Sequence, residues 1–133
     1  MNQAAERERI ELEAPLSGDF QAVVRLIIGG IAERVDFAFE EIDDLQLAVE
    51  RLLAEAGQVG SVSLSFEIVE DGIRARVGPL STNAIAEALA GGEPPPGVLT
   101  LRRILQTVVD SFGVETADDG RVVVRLVKRK GVG

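Results

Sequence analysis

The chain has 133 residues, 46% hydrophobic and 27% charged, with a formal net charge of -8 and neither cysteine nor histidine. That length supports one core without disulfide or metal staples, and the composition is that of a folded chain rather than a disordered one. It excludes imidazole and thiolate metal ligands, histidine-based triads and cysteine nucleophiles, while the acidic balance argues against binding along a phosphate backbone.

No apolar run approaches the ~18 residues of a membrane span, and the polar N-terminus is unlike a signal sequence. A cytoplasmic protein with no membrane or nucleic-acid partner is expected. The absence of Trp and Tyr removes most base-stacking and sugar-stacking surfaces. Residues 1–8 are expected as a flexible N-terminus, 9–128 as one domain and 129–133 as a flexible C-terminus.

Ile10 and Leu12 alternate with Arg9, Glu11 and Glu13, the pattern of a half-buried strand that Pro15 should end. Ser17 or Asp19 can cap a helix in which Phe20, Val23, Val24, Ile27, Ile28 and Ile31 predict one continuous buried face. Gly29 and Gly30 inside it each cost about 1 kcal/mol of helix propensity, which points to close backbone packing, a bend or simple tolerance. A second helix opens on Glu40, Glu41, Asp43 and Asp44, carboxylates suited to a positive helix N-terminus, and turns Ile42, Leu45, Val49, Leu52 and Leu53 to the core.

Gly57 and Gly60 bracket the exit from that helix. Val62, Leu64, Phe66 and Ile68 then alternate with Ser61, Ser63, Ser65 and Glu67, and Asp71-Gly72 signals a hairpin into Ile73, Ala75 and Val77. A short helix is expected over 82–90. Beyond it, the loop 91–97 contains Pro94, Pro95 and Pro96, which remove three backbone donors and stiffen the connection. The last helix should bury Leu101, Ile104, Leu105, Val108, Val109 and Phe112 and stop at Gly113. A closing hairpin is expected around Asp118-Asp119-Gly120, ahead of the basic end Lys128-Arg129-Lys130. Without regular βαβ alternation, this order predicts an α+β two-layer sandwich, a mixed, mostly antiparallel sheet with helices on one face.

From Glu13 to Ala56 the sequence resembles the opening of the anti-sigma-factor serine/threonine kinases, a branch of the histidine-kinase-like (GHKL) ATPases. The carriers are Pro15, Arg25 and the run Ile42-Asp43-Asp44-Leu45-Gln46-Leu47-Ala48-Val49. Gly97-Val98-Leu99-Thr100-Leu101 looks like the turn into that family's last helix, and the closing hairpin also fits. The resemblance covers most of the chain, weakly between Pro79 and Pro96, and implies the histidine-kinase-like ATPase fold.

In that family the second helix carries Glu-x-x-x-Asn, whose Glu is the general base and whose Asn ligates magnesium. Those positions fall on Arg51 and Glu55. A guanidinium cannot accept a proton, so Arg51 does not replace the base. Glu55 still offers oxygen to a hard cation, and Glu50 stands beside the base position. Glu50, Arg51 and Glu55 are therefore candidate cofactor residues, with a solvated face of ion pairs as the other reading.

The family's Asp-x-Gly-x-Gly, which reads adenine, corresponds to Val77-Gly78-Pro79-Leu80-Ser81. Gly78 remains and the carboxylate does not. Asn83 or Thr82 can contact a base or cap a helix, and Gly97, Val98 and Leu99 stand where backbone N–H groups meet phosphate.

The resemblance implies a regulatory binding protein, a catalytically degenerate pseudokinase that sequesters a sigma factor or related regulator. Gln21 and Arg25 carry over as partner-binding residues, and the first helix as a homodimer element. The alternative is an active Mg-ATP-dependent serine/threonine kinase acting on an anti-sigma-factor antagonist. Nucleotide binding without transfer lies between the two, and an oligomerisation domain is a third class. No cofactor is expected unless the altered pocket functions, in which case ATP and magnesium are its ligands and Glu55 is the metal's.

Overall fold

The computed structural model describes residues 8–57, 60–81, 85, 89, 96–97, 100–117 and 120–131. Its strands are β1 (Arg9–Pro15), β2 (Ser61–Val69), β3 (Gly72–Leu80), β4 (Ser111–Thr116) and β5 (Val122–Arg129), and its helices α1 (Gln21–Arg34), α2 (Phe39–Ala56) and α3 (Leu101–Val108). The strands form one sheet in the order β1-β2-β3-β5-β4, and all four pairings are antiparallel.

Side chains alternate across a strand, so residues paired across the ladders share a face. One row, Leu12, Leu64, Val77, Val124 and Val114, runs across all five strands on the apolar side. The row beside it on the other face, Glu11, Ser65, Arg76, Arg125 and Gly113, is polar. Phe66, Leu64, Ile73 and Leu126 are fully buried together with Ile28, Leu45 and Leu52 of the helices. Each such side chain contributes roughly 1.5–3 kcal/mol of burial. The α+β sandwich is as expected, with helices packed on one face of the sheet.

Several local expectations change. Strand β1 runs through Pro15 instead of ending before it, because β1 is an edge strand and proline's missing donor costs no ladder bond there. Neither Ser17 nor Asp19 caps α1. A 3-10 turn at Gly18–Phe20 leads into the helix, and its carbonyls take the first orphan amides, Phe20 N–H on Ser17 O and Gln21 N–H on Gly18 O.

The continuous buried face of α1 also divides. Val24, Ile28, Ile31 and Ala32 are buried, whereas Phe20 and Val23 are 39% and 43% exposed. Packing against α2 rotates the contact arc towards Ala32 and away from Val23. Gly30 faces open space and Gly29 has only the Gln46 amide near it, 3.9 Å from where a Cβ would stand. Tolerance is the outcome for this pair.

Helix α3 stops at Val108, short of Phe112 and Gly113, which belong to β4. The chain leaves the helix early because Asp110 is captured by β5. Its N–H donates to Val127 O, and its carboxylate accepts Arg129 N–H at 2.6 Å. Gly113 pairs with Arg125 across the β4–β5 ladder instead of stopping the helix; a Cβ there would meet only the movable end of the Arg125 side chain.

The Asp71-Gly72 hairpin forms as predicted, with Asp71 at φ 59° and Gly72 pressed against the Lys128 carbonyl. Strand β5 continues through Arg129, and Gly131 N–H donates to the Glu41 carboxylate. Of the short helix expected over 82–90, Ile85 and Leu89 are helical and buried; its other positions lie outside the described residues.

Candidate functional site

Helix α2 supplies the candidates Glu50, Arg51 and Glu55, and its 100° step per residue decides which of them meet. Gln46 and Glu50, four apart, share the flank that faces α1. Asp44, Arg51 and Glu55, spaced seven and four apart, share the opposite flank, on the side of β5 and α3. Glu50 and Arg51 are thus neighbours in sequence and not in space.

On the α1 flank, Arg25 donates twice to Glu50, Nε to Oε2 at 2.8 Å and Nη2 to Oε1 at 3.1 Å. Its third nitrogen, Nη1, donates to Gln46 Oε1 at 3.2 Å, and Gln46 Nε2 returns a hydrogen bond to the Arg25 carbonyl at 2.9 Å. Gln46 is the buried polar side chain of the described residues, so both ends of its amide need partners and both have them. The hydrogen bond and the charge of Glu50 raise the Arg25 pKa above its ordinary value, so the guanidinium stays charged. A residue expected to touch a partner and one expected to touch a cofactor are therefore joined as one fork-to-fork pair.

Among the described residues, the opposite flank is paired at one end only. Asp44 accepts from Lys128 of β5 at 3.1 Å. Arg51 is half-buried, and its Nε is shielded from solvent without a hydrogen-bond partner. Glu55 is exposed. Among the described residues, no three carboxylates gather as a metal site. A guanidinium has no lone pair for a cation or a proton, so this flank presents donors where a base would present an acceptor.

On the outer side of α1, Val23, Leu26, Ile27 and Gly30 follow the i, i+3, i+4, i+7 spacing of a single stripe. Leu26 is 77% exposed. Gln21 is exposed, and its side chain makes no hydrogen bond among the described residues.

No family model matches the chain. Curated relatives match it over nearly its whole length. The serine-protein kinase RsbW of Bacillus cereus (strain Q1) is 29% identical over 94% of this chain and 89% of its own. Those of Bacillus mycoides (strain KBAB4) and Bacillus cereus (strain B4264) are 28% and 26% identical over the same shares. The chain is similar to these serine-protein kinases along nearly its whole length, which supports the family resemblance seen in its sequence.

The family's remaining motif positions fall in varied surroundings. Gly78, at the adenine-reading turn, is buried, and a Cβ would meet Val122 O at 2.8 Å and Val123 Cα at 2.9 Å. Close approach to β5 therefore accounts for this glycine without a ligand. Gly97, at φ 85°, is exposed with open space around it. Asn83, Val98 and Leu99 lie outside the described residues. Thr100 caps α3 by accepting Arg103 N–H at 3.1 Å, and Arg102 Nη1 donates to Leu89 O at 2.6 Å.

Sequence reasoning missed the Arg25–Gln46–Glu50 network. Its signal was Gln46, a polar residue among the core positions Ile42, Leu45, Val49 and Leu53 of α2, where a buried amide demands a partner.

Proposed function

We propose that the protein is an anti-sigma-type regulator that acts in the cytoplasm by capturing a sigma factor or related regulator, without transferring phosphate. The observation that carries this reading is Arg51 at the family's base position, half-buried with an unpartnered Nε. Proton abstraction requires a lone pair there, and a guanidinium has none. Glu55 is exposed and, among the described residues, belongs to no group of three or more acidic side chains that could hold a metal, and Val77-Gly78-Pro79 supplies no carboxylate to read adenine.

Capture is assigned to the α1 side. The Arg25 guanidinium is already aligned by Glu50 and Gln46, so a carboxylate on the partner gains a pre-oriented fork in exchange for Glu50. The apolar stripe at Val23, Leu26 and Ile27, with Gly30 allowing close approach, is assigned to a homodimer contact. Capture of purified sigma factors from the same genome tests the reading. Arg25→Glu should abolish capture while the circular-dichroism spectrum stays unchanged; undiminished capture removes Arg25 from the interface.

A second reading is favoured by the relatives themselves, which are named serine-protein kinases and align across almost the full chain. In that reading the protein is an ATP- and magnesium-dependent kinase of an anti-sigma-factor antagonist with a rearranged pocket, and Glu55 holds the metal. It requires phosphate transfer by the unaltered chain and loss of transfer in Glu55→Ala.

A further inference from the structure

Between the first turn of α1 and the last turns of α2 lies a cavity of about 140 Å³. Its floor is made by Ala14, Val24, Leu53 and Val62, all buried residues of the core. Phe20 and Ala54 stand at its rim with two polar side chains, Ser17 and Gln21, neither of which has a hydrogen-bond partner among the described residues. Among the described residues, no charged side chain lines it.

The apolar floor holds water poorly, because a buried water needs two to four polar partners, and the polar groups stand at the open side; an apolar cavity of ~150 Å³ admits benzene or xenon. The walls are also held against collapse. Pro15 stiffens the link from β1, and Leu16 N–H is fixed on Gly60 O at 2.8 Å.

We propose that this cavity is a binding site for a small, uncharged, mostly apolar molecule about the size of one six-membered ring. Burying a charge against these walls is unfavourable without a counter-charge, which excludes ionised ligands. One polar substituent can be met at the mouth by Ser17 or Gln21. The site is independent of the proposed function, yet it adjoins the partner face. Gln21 stands one helical turn before Arg25, and Ala54 one turn after Glu50, so an occupant braces the same α1–α2 cleft that this ion pair spans.

The test is a titration of the isotopically labelled full chain with benzene, followed by amide chemical shifts. Saturable shifts are expected at Val24, Leu53, Ala54 and Gly57. Ala54→Leu, which fills the cavity from its rim, should abolish them, whereas Val114→Ala on the far edge strand should leave them intact. Pyrene, whose four fused rings exceed the volume, should give no saturable shifts. Absence of saturable shifts with benzene, equal shifts in folded Ala54→Leu, or pyrene binding as tightly as benzene each overturns the proposal. The size comparison uses the unaltered chain, so it decides the matter even where Ala54→Leu does not fold.

Discussion

The two flanks of α2 differ in how completely their charges are answered. Towards α1, Glu50 and Gln46 engage all three nitrogens of the Arg25 guanidinium, and the buried Gln46 amide is satisfied at both ends. Towards β5 and α3, Asp44 has Lys128, but Arg51 has a shielded nitrogen with no partner. One flank is closed by its own side chains and the other keeps a donor without an acceptor among the described residues. Adjacent residues of a helix can thus belong to separate systems, and a motif read along the sequence must be projected onto the helix before its members are grouped.

The largest effect should come from breaking both flanks together. Leu52, fully buried on the core side of α2, anchors the helix, and Leu52→Ala should cost about 2–5 kcal/mol in urea unfolding. Gln46→Ala breaks only the α1 flank. It removes two hydrogen bonds and leaves a gap, for a loss of about 1–2 kcal/mol.

The arginines then sharpen the contrast. Arg25→Ala should cost at most about 1 kcal/mol, because the pair it breaks is substantially exposed, 48% at Arg25 and 24% at Glu50. Arg51→Leu should be neutral or stabilising by up to about 1 kcal/mol, since it removes a desolvated, unpartnered nitrogen. Equal losses at the two positions in matched thermal melts would erase the distinction between the flanks. The smallest effect on stability is expected for Leu26→Asp on the outer stripe, within about 0.5 kcal/mol, while sedimentation of the unaltered chain and this variant tests the proposed homodimer contact, with a dimer expected only for the former.

Much of the fold was legible in the sequence because strand alternation and helix periodicity are both written in apolar spacing. The hairpin at Asp71-Gly72, the strand from Val62 to Phe66 and the core face of α2 all follow from it. Where the reading failed, a tertiary contact outweighed a local signal. Gly113 looked like a helix stop because glycine favours that role, yet the pairing of β4 with β5 opposite Arg125 places it in a strand. Val23 looked buried because its spacing fits, but the arc that α1 buries is set by α2, which spacing within one helix does not encode.

Part of the site was legible as well. The reversal of charge at Arg51 is visible in one dimension, whereas the capture of Glu50 by Arg25 is a contact across 25 residues and needs the fold. Gly78, read as a nucleotide glycine, has a structural demand of its own from β5 that the motif alone does not reveal.

The central claim, that the Arg51 flank does not perform kinase chemistry, is tested most directly by calorimetric titration of the unaltered chain with ATP, with and without magnesium. The lack of Trp and Tyr makes heat a better signal than intrinsic fluorescence. The account predicts no saturable magnesium-dependent binding at millimolar nucleotide. Saturable binding that requires magnesium and disappears in Glu55→Ala would contradict it and favour the kinase reading.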